Sequence, residues 1–187
     1  MTTLAAVPDP FRFSLARQAS GLLREFNDAG VLAAADVHVA LRLTNLGDEP
    51  NESVVLAAAL AVRAPRLGHV YVDLATISDT ATVETDEPVD LSTLHWPPAV
   101  AWARDVAASG LVSVGEADGA PSRPLRLVGT WLYLDRYWRE ERRVAADLLA
   151  LSQREPEHVR VDALAEGLAR LFADQTDSRQ CLAAGSA

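Results

Sequence analysis

Residues Leu125–Arg154, LRLVGTWLYLDRYWREERRVAADLLALSQR, decide how the fold is read. Leu125–Val128 and Trp131–Leu134 are two short strands hinged at Gly129-Thr130. From Asp135 or Arg136 the pattern turns helical and continues to about Arg154, before Pro156 breaks it. A small sheet and a long helix thus adjoin in one stretch.

Upstream of it, Gly115–Pro124 is a turn of Gly, Ala, Asp, Pro and Ser, and Leu111–Val114 is another strand. Pro97 and Pro98 open a helix over Ala99–Ser109, and Gly110 ends it. Gly68–Leu74 alternates and reads as a strand, followed by a polar loop from Ala75 to Pro88. Three helices come first. One is capped by Ser14 and runs to Ala29, the second covers Asp36–Leu46, and the third, Val54–Ala64, opens at Asn51 and is stopped by Pro65. The third is almost wholly apolar and should be central. Downstream, Val161–Ala173 is amphipathic, with Leu164, Leu168, Leu171 and Phe172 on one side. The expected fold is α+β: a mostly helical bundle with a small antiparallel β-sheet or hairpin. Helices followed by a hairpin keep a winged-helix arrangement open. Residues 1–13 read as a flexible arm, 14–174 as the folded domain and 175–187 as a tail.

The chain has 187 residues, 49% of them hydrophobic, which is enough apolar material for a core without a staple. Its one cysteine, Cys181, excludes an internal disulfide and fits a reducing, cytoplasmic compartment. Met1–Phe13 lacks the basic and apolar regions of a signal peptide, and no segment is apolar for long enough to span a membrane. The formal net charge is −9, and all 17 basic residues are arginines. Codon bias in a GC-rich genome explains the missing lysine. The acidic balance denies the chain the overall positive field that phosphate binding needs; Arg136, Arg139, Arg142 and Arg143 form its one basic cluster.

Catalytic signatures are absent. Without lysine there is no phosphate-binding G-x-x-x-x-G-K-[ST] loop, and no G-x-G-x-x-G or G-x-S-x-G occurs. His38, His69, His95 and His158 have no ligand spacing beyond Glu157 beside His158, and residues adjacent in sequence point apart. His69 reads as a partly buried imidazole satisfying a backbone carbonyl. Asp86-Glu87 and Glu140-Glu141 read as solvated or salt-linked pairs rather than a catalytic dyad. The residue pattern therefore predicts no catalytic, cofactor-binding or metal-binding residue.

The corner between the last strand and the long helix is the densest in chemistry. It holds two of the four tryptophans and two of the three tyrosines, interleaved with arginine. Such a mix stacks on bases, forms an interface hot spot, or is a buried corner with Arg–Glu pairs at helical spacing. As a candidate interface we take Tyr133, Arg136, Tyr137, Trp138, Arg139 and Arg142.

The same segment carries a family resemblance. Leu132-Tyr-Leu-Asp-Arg136-Tyr-Trp138-Arg-Glu-Glu141-Arg-Arg-Val144-Ala145 resembles the stretch ahead of the motor in RecD, the alpha subunit of exodeoxyribonuclease V. Gly68-His69-Val70 with Leu74 resembles that family's G-H-V strand. Asp36-Val37 with Ala40-Leu41, followed by the Leu56–Leu60 helix, is a third match, in the same order over about residues 30–180. The resemblance implies a non-catalytic docking domain that fastens the subunit to RecC, within a RecBCD complex that processes DNA double-strand breaks for recombination. It implies that the full assembly contacts DNA, and that ATP, Mg and helicase activity belong to motor domains beyond this stretch. On this reading the chain is a truncated piece. A winged-helix-like DNA-binding or regulatory module is the alternative.

Overall fold

The computed structural model describes residues 15–83, 89–117, 123–154, 160–172, 179 and 182–183. The expected N-terminal arm, the Asp86-Glu87 pair, His158, Cys181 and most of the tail lie outside the described residues. The chain divides into two compact units, Met1–Val144 and Ala145–Ala187.

The first unit is built round one helix. Helix α1 spans Gly21–Asp28, α2 Ala34–Leu46 and α3 Glu52–Arg66. Asn51 caps α3 by accepting from the Ser53 amide at 3.0 Å. Val54, Leu56, Leu60 and the alanines at 57, 58, 59, 61 and 64 are all buried, so α3 is surrounded, as an all-apolar helix should be. Alanine on every side lets α1, α2, helix α5 (Ala99–Ala108) and the sheet approach closely. Trp102 of α5 is sealed into this core and donates its indole N–H to the Ser53 carbonyl at 2.7 Å.

Four strands form one sheet: β1 (Tyr71–Asp73), β2 (Val112–Val114), β3 (Leu125–Val128) and β4 (Trp131–Leu134), in the order β1-β4-β3-β2. Gly129 (φ +61°) leads the two-residue turn between β3 and β4, which suits a II′ hairpin. Val72, Leu132, Leu125 and Leu127 are buried on the core side; Tyr71, Asp73, Trp131 and Arg126 belong to the opposite face. Helix α6 starts at Asp135, directly after β4, and runs to Ser152 across the boundary between the units; α7 spans Val161–Leu171 in the second.

The α+β class is as expected, and several details differ. The sheet is mixed rather than antiparallel, because β2 runs parallel to β3. The link from Gly115 to Pro124 is long enough to bring the chain back to the start of a three-residue strand. Helix α1 begins at Gly21 rather than just after Ser14. The Asn27 side chain accepts from the Ala16 amide at 2.8 Å and donates to the Leu32 carbonyl at 2.7 Å, which holds the preceding segment as a turn. The polar segment after β1 contains a four-residue helix, α4 (Ile77–Thr80), because Ile77 is buried. Pro65 lies inside the last turn of α3 instead of beyond it, and forfeits a single backbone bond there. Gly47 does close α2, but the left-handed residue is Asp48 (φ +50°). A Cβ at Gly47 would run into Leu111 Cδ2, so glycine serves close packing at that position.

Candidate functional site

The corner between β4 and α6 is organised by a charge pair invisible in the local pattern. Arg126 lies in the middle of β3 and is 1% exposed. Its Nε donates to Asp135 Oδ1 at 2.7 Å and its Nη1 to the Gly115 carbonyl at 2.8 Å. Arg139, one turn along α6, donates to the other Asp135 oxygen at 2.6 Å. Burial opposes the charge on Asp135, but hydrogen bonds from Arg139 and Arg126 and their positive charges outweigh it and hold the carboxyl below its ordinary value of 3.8. Trp138 then closes the site from α6, with the Arg126 guanidinium 3.9 Å from its ring centroid.

The six candidate interface residues divide accordingly. Tyr133 and Trp138 are buried. Arg136, Arg139 and Arg142 are exposed and Tyr137 half-buried. Arg136 lies 5.7 Å from the Tyr137 ring, and Arg142 lies 5.9 Å from the Trp138 ring and 3.7 Å from Glu116. The corner is thus a buried aromatic and ionic joint beneath an outer layer of arginine. Burial, followed by the charges of Glu141, Tyr71 and Glu116, raises the Tyr133 hydroxyl to about 12. Arg123, Pro124, Asp135, Arg136, Arg139 and Glu140 line a shallow cavity of about 400 Å³ beside the joint.

On the outer sheet face lies a second cluster that sequence reasoning missed. Tyr71 stacks on Trp131 at 4.9 Å between centroids and lies 5.3 Å from Tyr133. Trp131 is 44% exposed. Asp73 lies opposite it in the β1–β4 pairing and accepts from the Ala75 amide at 3.0 Å. Burial resists the Asp73 charge, but the polar groups of Thr130, Ala75, Thr76 and Trp131 prevail and lower its pKa. Trp131 stood inside the quoted segment; what was missing was the register that pairs it with the strand read at Gly68–Leu74. Two aromatics in a three-residue and a four-residue strand were the available signal.

The described histidines take no part in either cluster. His69 is exposed rather than partly buried; its backbone amide, not its ring, makes the bond, to the Ala64 carbonyl at 2.9 Å. It lines a cavity of about 530 Å³ between the end of α3 and β1. His95 faces Glu25 at 3.0 Å, a pairing across 70 residues that no spacing rule would find. Glu140 and Glu141 are exposed. Among the described residues no group of three His, Cys, Asp or Glu is placed to hold a metal ion, and no helix is long and apolar enough to cross a membrane.

Residues 28–133 match the family described as RecBCD enzyme subunit RecD, N-terminal domain. The RecBCD enzyme subunit RecD of Mycobacterium tuberculosis is 47% identical over 135 residues, covering 72% of this chain and 21% of the relative. That of Mycolicibacterium smegmatis is 49% identical over 128 residues, covering 68% of this chain and 20% of the relative. The chain therefore spans about a fifth of the length of the curated relatives it matches.

Proposed function

Since the chain belongs to the RecD N-terminal domain family, we propose that it is a non-catalytic docking module that fastens a RecD-type subunit to a RecC-like subunit. RecB shares the complex, and the assembly processes DNA double-strand ends for recombination in the cytoplasm. The observation that carries this reading is the match of residues 28–133, on one compact unit, to a domain of a subunit of the RecBCD enzyme. Two features support the non-catalytic part. The sequence has no lysine to reach a triphosphate. The densest polar cluster, Arg126–Asp135–Arg139, is occupied with its own internal pairing. ATP and Mg belong, on this reading, to the motor of the RecD subunit. A net charge of −9 suits a protein partner better than duplex phosphate.

A docking surface of this kind should bury about 800 Å² on each partner. The purified chain is expected to co-elute with the RecC-like subunit from the same genome in size-exclusion chromatography at micromolar concentration. Clean separation would overturn the reading. Salt-sensitive binding to a DNA duplex in its place would favour the DNA-binding alternative.

A further inference from the structure

Trp131 is unusual among the exposed apolar residues because it is held. An exposed indole gains little from staying in one place, yet this ring has a partner: Tyr71 stacks against its face, and Asp73 stands directly opposite it in the β1–β4 pairing. A side chain already ordered loses little entropy when a partner arrives, which is the property of an anchor residue. Beneath the stack, Tyr71 also lies 5.3 Å from the buried Tyr133 ring.

The charges round this surface select the partner. Asp73 stands opposite Trp131 on the same face of the sheet, in a chain whose formal net charge is −9. Of the nearby cations, Arg126 is buried against Asp135, and Arg142 lies beside Glu116. Nucleic-acid bases would stack on such rings, but their phosphates would meet the Asp73 carboxylate and a chain of net negative charge. A guanidinium stacks equally well on indole and gains from the same carboxylate.

We propose that the outer-face stack of Tyr71 and Trp131, with Asp73 beside it, is a docking platform for an arginine-bearing segment of a partner polypeptide, the guanidinium seated on Trp131. The platform names the surface through which the docking reading above would act, and rests on it. The outer arginines of α6 then lie beside the contact rather than at its centre.

The test uses the whole 187-residue chain and the RecC-like subunit of the same genome, with affinity measured by calorimetry. Trp131→Ala is expected to bind about thirtyfold more weakly than the parent chain, while remaining folded with only a small loss of melting temperature. Trp131→Phe, which keeps an aromatic face, should recover most of the loss. Equal affinity for parent and Trp131→Ala overturns the platform and leaves the docking reading standing. No binding by the parent chain overturns both. Should a single-stranded oligothymidine bind the parent chain and not Trp131→Ala, the platform serves nucleic acid and the arginine proposal fails.

Discussion

Helices α3 and α7 are both rich in alanine and leucine, and they end in opposite environments. Along α3, Val54 and the run from Leu56 to Ala61 are buried. Along α7, Val161 is 70% and Leu171 72% exposed, and on the second half of α6 Leu148 and Leu149 are similarly bare. Apolar content is therefore a poor guide to burial in this chain. What separates the two helices is the arrangement of that content. In α3 it surrounds the axis, so every neighbour of the first unit can pack on it. In α7 it forms one stripe, Val161, Leu164, Leu168 and Leu171, which needs a single facing partner. A stripe states that a helix has something to cover without stating what covers it.

The comparison can be broken by mutation. The largest effect is expected from Trp138→Ala in the first unit. It removes a buried indole and uncovers Arg126, and should lower stability by about 3–5 kcal/mol in chemical denaturation. A loss below about 1 kcal/mol would mean that the joint is not part of the core. Asp135→Asn should come next, at about 3 kcal/mol, since it leaves the Arg126 guanidinium buried without its counter-charge. The pH dependence sharpens this expectation. Because the folded state lowers the Asp135 pKa, its contribution is present above the ordinary value of 3.8 and is lost as pH falls below it. The variant should accordingly lose less stability than the parent between pH 4 and about pH 2. The smallest effect is expected in the second unit: Leu164→Ser in α7 should change stability by less than about 0.5 kcal/mol. If calorimetry gave Leu164→Ser a cost near that of Trp138→Ala, the contrast between the two helices would collapse.

Local signals made much of the fold legible. The Asn51 cap, the glycines at 30, 47 and 110, and the alternation around Gly129 all act within a few residues, and each marks its element correctly. What escaped depends on chain segments that are remote in sequence. The parallel pairing of β2 with β3 is marked in neither strand's composition. The start of α1 is set by Asn27 reaching back to Ala16. The candidate residues were identified by type, and type could not separate buried Trp138 from exposed Arg136; only the approach of Arg126, on a different strand, does so. An arginine between Leu125 and Leu127 was the visible oddity, since a charge on an otherwise apolar strand needs a counter-charge if it is buried. Tyr71 could not be joined to Trp131 without the register that places Asp73 opposite it.

That register has a consequence for how the chain is made. Tyr71 is partnered with Tyr133, so β1 emerges from the ribosome well before the strand that completes its ladder. Until Leu134 has been synthesised, Val72 and Leu74 can pack on α3 but the backbone beside them has no sheet to join. Closing so long a loop is slow compared with forming helices. The helices at the beginning of the chain should therefore assemble during translation, with the sheet locking only once the hairpin from Leu125 to Leu134 is free to fold back.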